Sequence, residues 1–224
     1  MPKRIALIHA TPVAMPPVID AFRRSWPEVD TMNLLEDALS VDLARRGTLD
    51  AHLMRRIAAL AGYATDLGVD GILYTCSAFG AAIEAVARTA AMPVLKPNEA
   101  MFEAALDTDS TVGLLATFQP SIPSMEQEFV AMAQALGKQA RLESVWVADA
   151  MDALTAGDAE QHDCLIAAAA SRLAHCDVVM LAQFSMARAL PAVRQAIAGQ
   201  VLTSPDSAVA KLKTLLTDGV VAQH

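Results

Sequence analysis

The sequence predicts an α/β protein built as two pseudo-symmetric halves with parallel sheets, the active site lying in the cleft between them. Three observations lead there. Short apolar runs alternate with longer helical patterns from end to end, as parallel strands joined by helices require. Landmarks of the first half return at nearly one spacing in the second. The chain has 224 residues and a hydrophobic content of 54%, enough to bury such a core.

Taken in order, residues 4–8 form a buried strand, with His9-Ala10-Thr11-Pro12 as its exit loop. Residues 15–25 read as a helix that tolerates Pro16 and Pro17 in its first turn, where N–H groups lack helical partners. Residues 29–34 give a second strand, and 36–47 an irregular or briefly helical stretch. Thr48 is placed as the N-cap of a long helix. Leu53, Ile57, Leu60, Ala61, Ala64 and Leu67 recur in it at helical spacing, and Gly68 closes it. Residues 70–75 form the central strand and 77–89 its following helix. A short strand over 93–96 comes next, and Asn98 caps a helix over 99–106.

The pattern then restarts. A strand over 111–116 leads to an exit loop over 117–121 and a helix over 123–136 that Gly137 stops. A strand over 142–147, an alanine-rich helix over 158–175 and a strand over 177–182 follow. After Gln183-Phe184-Ser185 comes a helix to Ile197, then a strand over 200–203. Pro205-Asp206-Ser207 opens a terminal helix that ends near Asp218-Gly219.

Charge and composition narrow the partners. A net charge of −8 and a pI near 5.0 argue against nucleic acid. No uninterrupted apolar run reaches transmembrane length, so no membrane partner is expected. Lys3-Arg4 precedes only four apolar residues before His9, which is short for a signal peptide, and a cytoplasmic location is expected. A homo-oligomer is left open. The three cysteines lack Cys-x-x-Cys spacing, and the five histidines form no pair at helical ligand spacing. Neither a disulfide framework nor a metal site is expected.

Chemistry concentrates in Tyr74-Thr75-Cys76-Ser77. An apolar strand ends in a thiol and a hydroxyl at a helix N-terminus, the end of a parallel sheet where ligands bind. The helix dipole there favours a thiolate. A plain buried cysteine is the alternative.

The halves align on three landmarks. Thr11 and Thr117 stand 106 apart, Cys76 and Gln183 stand 107 apart, and Val94 and Val201 stand 107 apart. Duplication explains this, and divides the chain into 1–97 with 205–224, and 98–204. The strand-tip loops of both halves would then line one cleft.

On Tyr74-Thr75-Cys76-Ser77, Leu115-Ala116-Thr117 and the half-chain spacing, the sequence resembles the aspartate/glutamate/hydantoin racemase superfamily, which includes maleate isomerases and arylmalonate decarboxylases. The resemblance covers essentially the whole chain. It implies a duplicated α/β fold without cofactor or metal, and a cysteine after the central strand of each half. Cys76 falls on the first. Thr75, Ser77, Ala78, Thr117 and Gln119 fall among the groups that would hold a substrate carboxylate. Thr11, Asn98, Ser185 and Asp206 lie in the other strand-tip loops, where Asn98 and Asp206 also read as plain helix caps. The second cysteine should stand at Gln183, and here the sequence departs from the pattern. An amide does not titrate usefully and cannot exchange a proton. Cys164 and Cys176 read as structural.

Two-base racemisation needs a proton-transfer group on each face, and only one is present. The expectation is therefore a cofactor-independent enzyme acting through Cys76 on the carbon beside a carboxylate, with a small carboxylate or hydantoin-like substrate. The departure tilts it toward a decarboxylase or isomerase. His9 and Asp206 are candidates to replace the missing group, and His9 is also a candidate activator of Cys76. Two alternatives stand beside it: a Cys–His thiol hydrolase and a non-catalytic binder of small carboxylates.

Overall fold

A computed structural model describes residues 2–107 and 111–217. The chain divides into two compact units, one running to Ala100 and resuming at Ala208, the other spanning Met101–Ser207. Each carries a four-stranded parallel sheet.

In the first unit the order is β1 (Arg4–His9), α1 (Met15–Ser25), β2 (Asp30–Leu35), α2 (Ala38–Arg46), α3 (Ala51–Asp66), β3 (Gly71–Tyr74), α4 (Gly80–Ala87) and β4 (Val94–Leu95), with α5 (Glu99–Ala105) beginning at its end. The sheet runs β2-β1-β3-β4. β3 is buried at every position, as its unbroken apolar run requires of a central parallel strand. Ile57, Ala61 and Ala64 of α3 pack into the same core as Ile72 and Tyr74.

The second unit repeats the plan with β5 (Thr111–Ala116), α6 (Ile122–Ala135), β6 (Arg141–Trp146), α7 (Ala150–Thr155), α8 (Ala159–Ala170), β7 (Val178–Leu181), α9 (Leu190–Ala196) and β8 (Gln200–Thr203), and α10 (Ser204–Thr217) follows. Its sheet runs β6-β5-β7-β8. The strand registers carry the repeat. β1 pairs with β3 from Ile5↔Gly71 to Ile8↔Tyr74, and β5 with β7 from Val112↔Val178 to Leu115↔Leu181, each partner displaced by 107. Ile72↔Val94 and Val179↔Val201 preserve the same displacement. On the edge strands, Arg4↔Asp30 corresponds to Thr111↔Arg141, so β6 is displaced by 111. By register, Thr117 therefore corresponds to Ala10, not to Thr11, and Ala116 corresponds to His9.

The same carboxylate tether starts both sheets. Asp70 accepts from the Arg4 amide at 2.8 Å, and Asp177 from the Thr111 amide at 2.9 Å.

Several boundaries differ from the sequence expectation. Asp50, not Thr48, caps α3: it is extended, and its carboxylate accepts from the His52 and Leu53 amides at 3.0 Å each. The stretch after β2 contains a regular helix, α2. A 3-10 turn (Ser77–Phe79) precedes α4, and a longer one (Phe184–Ala189) precedes α9. The alanine-rich helix stops at Ala170 and gives way to a 3-10 turn over Ser171–Leu173. α7 was not expected. Asp149 before it has φ of 64° and makes no side-chain cap, so the usual start signal is missing. Gly68 and Gly137 end their helices with positive φ, as expected. The expected end of the last helix near Asp218-Gly219 lies outside the described residues.

Candidate active site

β1 and β3 lie side by side, so His9 and Thr75 meet at their carboxyl ends. The Thr75 amide donates to Ile8 O at 3.0 Å, which extends the ladder by one residue. Cys76 follows in extended conformation (φ −126°, ψ 117°) and leads into the 3-10 turn. Its thiol is partly buried. Burial pushes the thiol pKa up, and the Ala78 N–H, directed at the sulfur, opposes this only in part. The helix-terminus argument favoured a thiolate. Desolvation outweighs it, because removing a charged sulfur from water costs more than one amide returns.

His9 is completely buried and bonded on both ring nitrogens. Nδ1 lies 2.9 Å from Thr75 Oγ1, and Nε2 lies 2.9 Å from Asn33 Oδ1. Desolvation lowers its pKa, against a smaller raising effect of the Asn33 hydrogen bond, so the ring is neutral at physiological pH. A carbonyl oxygen only accepts, so the ring proton belongs on Nε2. Nδ1 then accepts from the Thr75 hydroxyl. His9 thus spends its hydrogen bonds on Thr75 and Asn33.

Gln183 occupies the place of Cys76 in the second unit, after β7. Its carbonyl accepts from the Thr117 amide at 2.8 Å and from the Thr117 hydroxyl at 3.2 Å, and its amide donates to Ser121 Oγ at 3.1 Å. Ser121 passes a hydrogen bond on to Phe118 O at 2.8 Å. The side chain fastens the loop after β5 to the tip of β7.

The other candidates have varied settings. Thr11 is partly buried, extended, and makes no side-chain cap. Ser77 is partly buried, and Ala78 and Gln119 are exposed. Asn98, Thr117 and Ser185 are buried. The Thr203 hydroxyl donates to Asp206 Oδ2 at 2.7 Å and accepts from the Asp206 amide at 3.3 Å. That reciprocal cap gives Asp206 a role at the start of α10. Lys96 donates to Glu84 at 2.7 Å. Cys176 is buried, whereas Cys164 is exposed on α8. No group of three His, Cys, Asp or Glu side chains among the described residues is arranged to hold a metal. None of the described helices is long and apolar enough to cross a membrane.

Sequence reasoning missed Asn33, and reached Ser121 only as the last residue of the exit loop over 117–121. Asn33 is a polar residue on an edge strand, and only strand pairing reveals that it faces His9. Ser121 carried a faint signal as a hydroxyl just before a helix.

Two duplicated parallel α/β units with a thiol at one central strand tip define a class, and comparison assigns the family. Residues 6–212 match the Asp/Glu/hydantoin racemase family, and the chain belongs to it. No curated protein matches it in sequence. Solved structures share the fold at low identity. An aspartate racemase from Picrophilus torridus superposes with a TM-score of 0.70 at 13% identity, covering 95% of this chain and 93% of that one. Glutamate racemase from Francisella tularensis in complex with D-glutamate gives 0.68 at 15%, covering 98% and 82%. Allantoin racemase from Klebsiella pneumoniae gives 0.65 at 15%, covering 97% and 89%.

Proposed function

We propose that this chain is a cofactor-independent enzyme that delivers a proton from Cys76 to one face of a carbanion beside a carboxylate. The observation that carries the reading is the contrast between Cys76 and Gln183. At one central strand tip stands a thiol held protonated by burial. At the matching tip stands an amide with no proton to exchange, bonded to Thr117 and Ser121.

A buried neutral thiol suits a general acid. The reaction class that supplies a carbanion without a base is decarboxylation of a substrate with two carboxylates on one carbon. The C–C bond breaks, carbon dioxide leaves with no electrons from that bond, and the remaining carboxylate becomes an enediolate. The Cys76 proton passes to carbon, and the thiolate regains a proton from water. The Ala78 N–H directed at the sulfur eases the thiolate stage. The Ser77 hydroxyl is a neutral donor suited to the carboxylate. Amino-acid and hydantoin substrates, the kinds that structurally similar proteins are named for, remain the comparison set.

The engagement of both His9 nitrogens speaks against a Cys–His hydrolase. The test is turnover of 2-substituted malonates, amino acids and hydantoins in heavy water. The expected result is deuterium in one product enantiomer, with turnover reduced about 10³-fold in Cys76→Ala, within the usual range for a proton-transfer group. Full turnover by Cys76→Ala, or equal labelling of both enantiomers, overturns the reading. Ligand-induced stabilisation with no turnover across the panel would point to a binding protein.

A further inference from the structure

The duplicated scaffold provides an internal comparison. In the first unit a line of hydrogen bonds crosses three neighbouring strands: Asn33 on β2, His9 on β1 and Thr75 after β3. Asn33 pairs in register with Leu7, so it shares a sheet face with Leu7 and His9. In the second unit Leu114 pairs with Ser144, which makes Ser144 the counterpart of Asn33. The counterparts of His9 and Thr75, each displaced by 107, are Ala116 and Ala182. Neither alanine has a polar side chain, and the buried Ser144 hydroxyl has no hydrogen-bond partner among the described residues. The relay accompanies Cys76 and is absent beside Gln183.

We propose that Asn33 is a positioning residue for the strand tip that carries Cys76: it fixes the Nε2–H form of His9, which orients the Thr75 hydroxyl next in sequence to Cys76 and keeps a positive charge away from the thiol. The inference rests on Cys76 being the reacting group.

The Thr75 hydroxyl has two places to put its proton, His9 Nδ1 at 2.9 Å and Ile8 O at 3.4 Å. With the ring proton on Nε2, the hydroxyl donates to Nδ1. With the proton on Nδ1, the hydroxyl must accept from the ring and turn its own proton to the distant carbonyl. Asn33 Oδ1 selects the first arrangement, because it can face only an N–H. An amide at this position also matters because it is neutral. A carboxylate there would favour an imidazolium, and β1 lies one strand nearer to Cys76 than β2, so the nearer charge would be positive. Other ionisable groups nearby are already engaged. Glu36, whose amide donates to His9 O, is paired with Arg56, which also holds Asp42 at 2.6 Å.

The test compares Asn33→Asp, Asn33→Ala and Asn33→Ser with the parent, all carrying Cys164→Ser to remove the exposed thiol. Asn33 is exposed on an edge strand, and melting temperatures confirm folding. Long-range ¹H–¹⁵N spectra read the His9 tautomer, and mass spectrometry of the Cys76 peptide reads its alkylation by iodoacetamide against pH. The parent is expected to show neutral Nε2–H His9. Asn33→Ala and Asn33→Ser should populate the Nδ1–H form. Asn33→Asp should protonate His9 at pH 7 and speed Cys76 alkylation there about three- to tenfold. A parent His9 in the Nδ1–H form overturns the proposal. So does an Asn33→Asp variant whose His9 is protonated while its Cys76 profile superimposes on the parent's. Neither readout needs a substrate, so failure here is distinct from failure of Cys76→Ala to lose turnover.

Discussion

The Thr117 amide donates to Gln183 Oε1 at 2.8 Å, and because a backbone N–H can only donate, this bond fixes which way the Gln183 amide points. The opposite end of the side chain is thereby turned toward Ser121, 3.1 Å away. Gln183, at the tip that matches Cys76, is a bracket between two strand tips.

Removing the bracket should cost stability. Gln183→Ala releases Thr117 and Ser121 together and is expected to lower unfolding free energy by about 1.5–4 kcal/mol, the range for three partly buried hydrogen bonds. Gln183→Cys should cost a similar amount, because the shorter side chain reaches neither partner. Urea denaturation checks both. No loss in either variant would mean that the loop after β5 holds its shape without Gln183.

Cys76 should react slowly with electrophiles at neutral pH. Burial raises its pKa, so the alkylation profile of Cys76 should have its midpoint above about 8.5, the ordinary thiol value. Peptide-resolved alkylation between pH 6 and 10 measures it. A midpoint near or below neutrality would overturn the proposed acid role.

His9 predicts a pH dependence of stability. Its folded pKa lies below the unfolded value, so the unfolded chain binds the proton more readily. The stability contributed by neutral His9 is present above about pH 6.5 and is lost as pH falls from there toward the folded value. Asp42, Asp50 and Asp70 have lowered pKa values, and their contribution is lost only at lower pH, below about 4. Urea midpoints between pH 7.5 and 5 should therefore decline in the parent and flatten in His9→Gln. Parallel slopes would contradict this.

Gly113 tests the packing of the second sheet. A Cβ there would come within 2.8 Å of Leu173 Cδ1 and 3.2 Å of Leu173 Cβ. Leu173 is fully buried. Gly113→Ala is expected to destabilise by about 1–3 kcal/mol through overpacking, measured by thermal or urea unfolding. The counterpart in the first unit is Ala6, where a methyl group is already accommodated.

Much of the fold was legible because buried parallel strands write themselves as apolar runs, and β3 and β7 did so plainly. The pairing of Cys76 with Gln183 was also legible, since it needs only a constant spacing. The thiol's protonation was not. A helix terminus is visible in sequence, whereas the depth of burial that overrides it is tertiary. The relay was hidden for a related reason. Asn33, His9 and Thr75 are neighbours only because β2, β1 and β3 are, and no local pattern links residues 24 and 66 positions apart. α7 and the Asp50 cap were missed locally, the first for want of a cap and the second because Thr48 offered a competing one.

The inner strands of the two sheets, and the edge strands β4 and β8, match at one displacement of 107, while β6 stands four residues further from β2. A substitution at a central strand tip therefore arrives on the same backbone in either copy, and its consequence can be read against an untouched twin in the same molecule. Transplanting asparagine, histidine and threonine to positions 144, 116 and 182 would build the polar line where none exists. The two tips are copies of one backbone pattern, one fitted with a thiol and the other with an amide.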